Sequence, residues 1–241
     1  MKKKIITTIC IILALTTIVG SVYLFGFYIP EQKERAELMA AVQLYIDNKI
    51  DMYEKENATL APGEMDVAFI GDSLTDGYDV VRHYPDYKVT NRGIGGDTTF
   101  RVEERLQVSL YDIQPKVVVM LIGANNMDTM FENYEQIIIS MKENMPNTEI
   151  ILVSLTAMGG EHWGRKNQLA CYNNVKIKLL AEKHDCIYVD LYSAQFNVET
   201  GEIYEEYTTD GGHQTEEGYK IFTDTITPAI EEALKKRAEK Q

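Results

Sequence analysis

Five short apolar runs alternate with longer amphipathic stretches from about residue 65 to the C-terminus. The runs at 66–70, 87–91, 117–122, 149–154 and 186–190 read as strands. Val117 to Ile122 and Ile150 to Val153 are apolar at every position, the pattern of parallel strands buried on both faces. Segments near 74–83, 98–110, 130–145, 165–184 and 215–236 carry apolar residues at helical spacing. Pro115 and Pro146 each fall just before a strand, where a turn is needed. This alternation predicts an α/β domain: a doubly wound, flavodoxin-like three-layer sandwich around a five-stranded parallel sheet. In such sheets ligands bind beyond the carboxyl ends of the strands.

Upstream the pattern changes. Lys2, Lys3 and Lys4 precede Ile5 to Ile29, a run of 25 residues without a charged side chain. As a helix it would extend about 37 Å, enough to cross a bilayer core of about 30 Å with some tilt. The length of the run and its bulky exit, Phe25-Gly26-Phe27-Tyr28-Ile29-Pro30, argue for an uncleaved signal anchor over residues 1–30. Secretion after signal cleavage is the alternative. The lysines before the span place the N-terminus in the cytoplasm and the rest of the chain outside, with 5–29 as the membrane contact. Residues 31–62 then read as a helical linker or stalk, with Leu38, Ala41, Val42, Tyr45 and Ile46 at helical spacing. A membrane-proximal lid is the sharper reading of the same pattern. The α/β domain occupies 63–241.

The chain carries 24 basic against 37 acidic residues, a formal net charge of −13. Three of those basic residues precede the span, so the remainder is more acidic still. Such a surface disfavours nucleic acid as a partner. Cys171 and Cys186 make no disulfide framework and are expected as two small buried thiols. Asp72, Asp76 and Asp79 have no calcium-loop spacing and no accompanying histidine, so no metal is expected. Gly93-Ile94-Gly95-Gly96 follows the second strand, not the first, and lacks the later acidic cue of a dinucleotide fold. No cofactor is predicted.

The candidate chemistry sits in the loops after the strands. Gly71-Asp72-Ser73-Leu74 follows the first, Gly93 to Thr99 the second, and Gly123-Ala124-Asn125-Asn126 the third. Asp210-Gly211-Gly212-His213 follows the fifth. Each alone has a bland reading: Asp72 or Ser73 as a helix N-cap, Asn125-Asn126 as a turn, His213 as a satisfied histidine at a helix start. His83, His162 and His184 read as surface or structural residues. Together, a serine at a strand end with a later Asp/His pair is the constellation that nucleophilic acyl transfer requires.

In order and kind, these four blocks resemble those of the GDSL (SGNH) esterase and lipase family across roughly residues 65–234. The resemblance implies Ser73 as nucleophile, His213 as general base and Asp210 as its orienting carboxylate. It implies an oxyanion hole from the backbone N–H groups of Ser73 and Gly96 and the side-chain amide of Asn125. Two positions depart from the family pattern: Asn126 stands where Asp is common, and Gln214 where Pro is frequent. The function implied is a membrane-anchored extracellular serine esterase acting on O-acyl esters of carbohydrates or lipids. An acyltransferase sharing the same acyl-enzyme is the alternative, and a non-catalytic surface module for a glycan or partner is the reading from another class. Trp163 reads equally as a wall of the acyl pocket and as packing for its own loop.

Overall fold

The computed structural model describes residue 13 and residues 15–240. By contact the chain divides into two units, residues 1–51 and 52–241. A π-helical turn, Leu24–Tyr28, runs into helix α1 (Ile29–Asn57). Residues 5–12 and 14 of the expected membrane span lie outside the described residues. Among the described residues, no helix is long and apolar enough to cross a membrane. Leu38, Val42 and Tyr45 of α1 are exposed.

The second unit holds five parallel strands, β1 (Val67–Gly71), β2 (Val89–Gly93), β3 (Val117–Leu121), β4 (Glu149–Val153) and β5 (Ile187–Val189). Their order in the sheet is β2-β1-β3-β4-β5, and each neighbouring pair is parallel. This is the doubly wound order, with its switch point between β1 and β3. The period of two along each strand sorts the core into two layers. Ala68, Ile70, Val118, Met120 and Leu152 pack with Val102, Leu106, Tyr134, Ile137 and Ile177. Val67, Phe69, Val119, Ile151 and Val153 face the other way, against Leu74, Tyr78, Phe222, Ile226 and Ile230. The expected three-layer α/β fold is the one observed.

Several boundaries differ from the expectation. The helix expected over 74–83 is two short ones, α2 (Ser73–Asp76) and α3 (Val80–His83), parted at Gly77 and restarted by Asp79, whose side chain accepts from Arg82 N. The stretch 98–110 is likewise divided, into α4 (Thr99–Glu104) and a π-helical turn, Gln107–Tyr111. A 3-10 turn, Met130–Glu132, precedes α5 (Tyr134–Asn144). The long helices α6 (Gly160–Lys183) and α8 (Glu216–Glu239) begin and end within a few residues of the sequence reading or, for α6, one turn earlier. Between β5 and α8 lie α7 (Leu191–Gln195) and a small antiparallel pair, β6 (Phe196–Asn197) with β7 (Glu202–Ile203), which the apolar pattern does not signal. Strand β2 starts and ends two residues later than expected, because Arg92 and Gly93 continue the pairing with β1 at Ile70 and Gly71. Asn91 donates to the carbonyls of Thr75 (2.6 Å) and Tyr78 (2.9 Å), and Arg92 is fully buried. The cysteine expectation is corrected: both thiols are free as expected, but Cys171 is exposed and Cys186 only half-buried. Cys171 lies on the outer face of α6, where no core reaches it.

Candidate active site

Ser73 is the first residue of α2, two residues past the end of β1. The chain can turn there because position 71 is glycine: a Cβ on Gly71 would lie 2.1 Å from the Leu121 carbonyl oxygen and 2.3 Å from Thr75 Oγ1. Asp72 caps the helix, its Oδ1 accepting from Leu74 N at 3.1 Å. The capping role in Gly-Asp-Ser therefore falls to Asp72 and not to Ser73. Asp72 is 1% exposed and its Oδ2 has no hydrogen-bond partner. Burial, reinforced by nearby Asp97 and opposed by the Leu74 amide and His213, pushes its carboxyl up to about 7.

Asp210 and His213 are held together by their own turn. Asp210 Oδ1 accepts from the backbone N–H groups of Gly212 (2.9 Å) and His213 (2.7 Å), while Oδ2 takes the His213 Nδ1 proton at 2.8 Å. Burial alone would raise this carboxyl, but those hydrogen bonds outweigh it and hold Asp210 well below the usual carboxylate range. With Nδ1–H given to Asp210, Nε2 carries the lone pair, and it lies 3.1 Å from Ser73 Oγ. Residues 140 apart in sequence thus form one hydrogen-bonded series, serine to imidazole to carboxylate.

The second and third loops are fastened to each other beside it. Asn125 Nδ2 donates to the Asp97 carbonyl at 2.8 Å. Asn126 accepts from Thr99 N at 3.2 Å and donates to Thr99 Oγ1 at 2.9 Å. An aspartate at 126 would supply only the acceptor, so here the asparagine secures the contact through both ends of its amide. Gly96 has φ +81° with open space where a Cβ would go. Glycine is required there by backbone conformation, not by crowding. Behind the loop, the buried Asp97 carboxylate pairs with Arg105 Nε at 2.7 Å, and Arg105 also donates to Ser109 Oγ (2.8 Å) and the Gly71 carbonyl (3.1 Å). Gln214 is buried, its Oε1 accepting from Gln195 Nε2 at 2.6 Å.

Ser73, Asn125 and His213 line one small pocket of about 260 Å3, whose apolar wall is Leu74, Ala124 and Met158. Gly96 stands exposed and outside that lining. A larger open groove of about 1050 Å3 lies beyond Asp210, among Glu202, Glu205 and Glu206. It holds neither Ser73 nor His213, so the smaller pocket is the candidate site. Trp163 lies in the first turn of α6. It lines the small pocket, and it packs on its surroundings, with its ring 5.8 Å from that of His213 in an edge-on arrangement and its Nε1 3.4 Å from Asp210 Oδ2. Sequence reasoning missed Asp97, Arg105 and the burial of Asp72. Nothing in the sequence marks the pair, since Asp97 and Arg105 stand near Arg101, Glu103 and Glu104 in a charged stretch.

A doubly wound α/β domain with a serine, histidine and aspartate in hydrogen-bonded series at its strand ends defines a recognisable class of protein. The chain belongs to the GDSL-like Lipase/Acylhydrolase family, whose model matches residues 69–221. It is 36% identical over 105 residues to the human platelet-activating factor acetylhydrolase IB subunit alpha2, a match covering 40% of this chain and 46% of that protein. The matched part is therefore under half the length of this relative. Among solved structures, a GDSL-like lipase from Bacteroides thetaiotaomicron is 30% identical with a TM-score of 0.67, covering 77% of this chain and 98% of the other. Axe2, an acetylxylan esterase from Geobacillus stearothermophilus, shares the fold at 19% identity and a TM-score of 0.60, over 70% of this chain and 95% of its own.

Proposed function

We propose that the protein is a serine esterase that hydrolyses short-chain O-acyl esters of a carbohydrate or lipid. The observation that carries this reading is the series Ser73 Oγ, His213 Nε2, His213 Nδ1, Asp210 Oδ2, with separations of 3.1 and 2.8 Å. Ser73 attacks the ester carbonyl as Nε2 takes its proton, and Asp210 stabilises the imidazolium that results. The tetrahedral oxyanion is received by the N–H groups of Ser73 and Gly96 and by the second amide proton of Asn125. The first of those amide protons is already committed to the Asp97 carbonyl, which fixes the side chain in advance. His213 then protonates the departing alcohol, and water resolves the acyl-enzyme by the reverse path. The pocket is small and walled by Leu74, Ala124 and Met158, which favours an acetyl-sized group over a long chain. The names of the relatives, an acetylhydrolase and an acetylxylan esterase, point the same way.

The finer reading is that this esterase is anchored in the cell membrane and works outside it. The uncharged run from Ile5 to Ile29 supports this. So do Leu15, Ile18, Val19, Val22, Phe25 and Phe27, large apolar side chains that are all exposed, as a lipid-facing segment requires. One experiment addresses both parts. A fluorophosphonate probe that does not cross membranes is applied to intact cells, followed by fractionation and mass measurement. Labelling of a full-length membrane-bound chain, abolished by Ser73→Ala, is expected together with loss of acetyl-ester hydrolysis. Undiminished turnover by Ser73→Ala would end the catalytic assignment, and a labelled chain lacking residues 1–30 would end the anchor.

A further inference from the structure

The walls of the small pocket are not all of one kind. Apart from the three groups assigned to the chemistry, the described residues that line it are Asp72, Leu74, Ala124, Met158, Gly212 and Trp163. The first five are buried. Leu74 belongs to one apolar layer of the core, and Ala124 and Met158 to the other, so none of the three can shift without disturbing the close-packed interior. Trp163 packs against the second of these layers but is only half-buried. Among those residues it is the one wall that borders solvent.

The indole is seated on glycine. A Cβ on Gly212 would lie 2.6 Å from Cε2 of the Trp163 ring and 2.7 Å from both Cδ2 and Nε1. Three ring atoms at nearly equal distances mean that the face of the indole, not its edge, rests on the turn between Asp210 and His213. The φ of Gly212 is not left-handed, so conformation does not require glycine there; the indole does. Other groups surround the ring: His213 and His162 edge-on at 5.8 and 5.1 Å, and the Lys166 ammonium 4.6 Å from the ring centre. We infer that Trp163 is the residue that sets the length of acyl chain the pocket accepts, a stop held on Gly212 at the one side not closed by the interior. The inference rests on the esterase reading, and it names what enforces the preference for a short chain. An acyl group longer than acetyl has to lift the indole off Gly212 and give up the contacts that hold it there.

Nitrophenyl esters from acetate to hexanoate, hydrolysed by the full chain, vary the acyl group with the leaving group held constant. In the wild type kcat/KM should fall about tenfold for each methylene added beyond acetate. Trp163→Ala should raise the butyrate-to-acetate ratio by at least about tenfold, and Trp163→Leu and Trp163→Phe by progressively less. A second measurement needs no variant. Trp163 is the only tryptophan, so the emission of the wild type reports on it alone. After reaction of Ser73 with an ethyl or a hexyl phosphonate, only the hexyl adduct should shift the emission to longer wavelength, as the indole is driven into water. A butyrate-to-acetate ratio within about twofold of wild type throughout the series, or the same emission from both adducts, would overturn the inference. So would a broadened tolerance confined to acetates of longer alcohols. Absence of Ser73-dependent turnover in the wild type would end the esterase reading and the inference with it, whereas turnover with a ratio unmoved by Trp163→Ala ends the inference alone.

Discussion

Asn125→Ala separates catalysis from folding more sharply than any other change at this site. The side chain is exposed, and the hydrogen bond it makes, Nδ2 to the Asp97 carbonyl at 2.8 Å, is to a backbone oxygen that solvent can reach once the amide is gone. The stability cost is that of one ordinary hydrogen bond, about 1 kcal/mol. For a domain of this size that lowers Tm by about 2–4 °C. The Asp97 carboxylate keeps its contact with Arg105 at 2.7 Å, so the loop does not come adrift. The catalytic cost is that of one oxyanion donor, about 10²–10³ in kcat, or roughly 2.7–4 kcal/mol of transition-state stabilisation. Asn125→Asp should be worse than alanine, because it turns a carboxylate toward the Asp97 carbonyl and toward the developing negative charge. The measurements are kcat and KM on nitrophenyl acetate, with a thermal melt of each variant. A kcat for Asn125→Ala within threefold of wild type would refute the oxyanion assignment. A loss of activity accompanied by more than about 3 kcal/mol of destabilisation would show that the residue acts through the fold instead.

The buried carboxyl of Asp72, pushed up to about 7, should leave a mark on stability against pH. Its folded value lies above the unfolded one, so the native state binds the extra proton, and the contribution is complete below about pH 4 and lost as pH rises through 7. Asp72→Asn keeps an acceptor for Leu74 N and cannot ionise; urea melts at pH 5 and pH 8 should show the variant gaining on wild type at the higher pH, by at most about 3 kcal/mol, and equal slopes in both proteins would sink the argument. Gly211→Ala tests the loop that carries Asp210: with φ +89° and a would-be Cβ 1.9 Å from the Gly159 carbonyl oxygen, it should cost several times what Gly201→Ala costs. At Gly201 φ is +75° but the space is open, so only the conformational penalty of about 1–2 kcal/mol remains; similar Tm values for the two variants would contradict this.

What the sequence revealed, and what it hid, divides by the range of the interactions involved. Strands β1, β3 and β4 are legible because every side chain on them except Glu149 enters one apolar layer or the other, so local composition carries nearly the whole signal. Strand β2 is legible only in part. Asn91 and Arg92 look like loop residues until Thr75 and Tyr78 supply carbonyls for one and Tyr53 a ring for the other. The helix after Ser73 fails for a related reason, since Asp79 restarts the chain where the apolar spacing alone would run on. Ser73, Asp210 and His213 can be read because the chemistry fixes residue type, and the topology then delivers them to one edge whatever lies between.

The residues that make the site rigid follow no such rule. Asp97 and Arg105 are eight apart and look like an ordinary surface pair, yet both are nearly inaccessible and tie the second loop to the end of β1. Tyr53 has exposed residues on either side, Met52 and Glu54, and nothing local distinguishes it from Tyr45, which is exposed. A nucleophile and its base have few chemical substitutes, whereas a loop can be held by any donor that arrives at the right carbonyl. The candidate chemistry is therefore written in short motifs, while the loops that carry it are held by contacts such as Asn125 to Asp97, between residues 28 apart, that only the folded chain brings together.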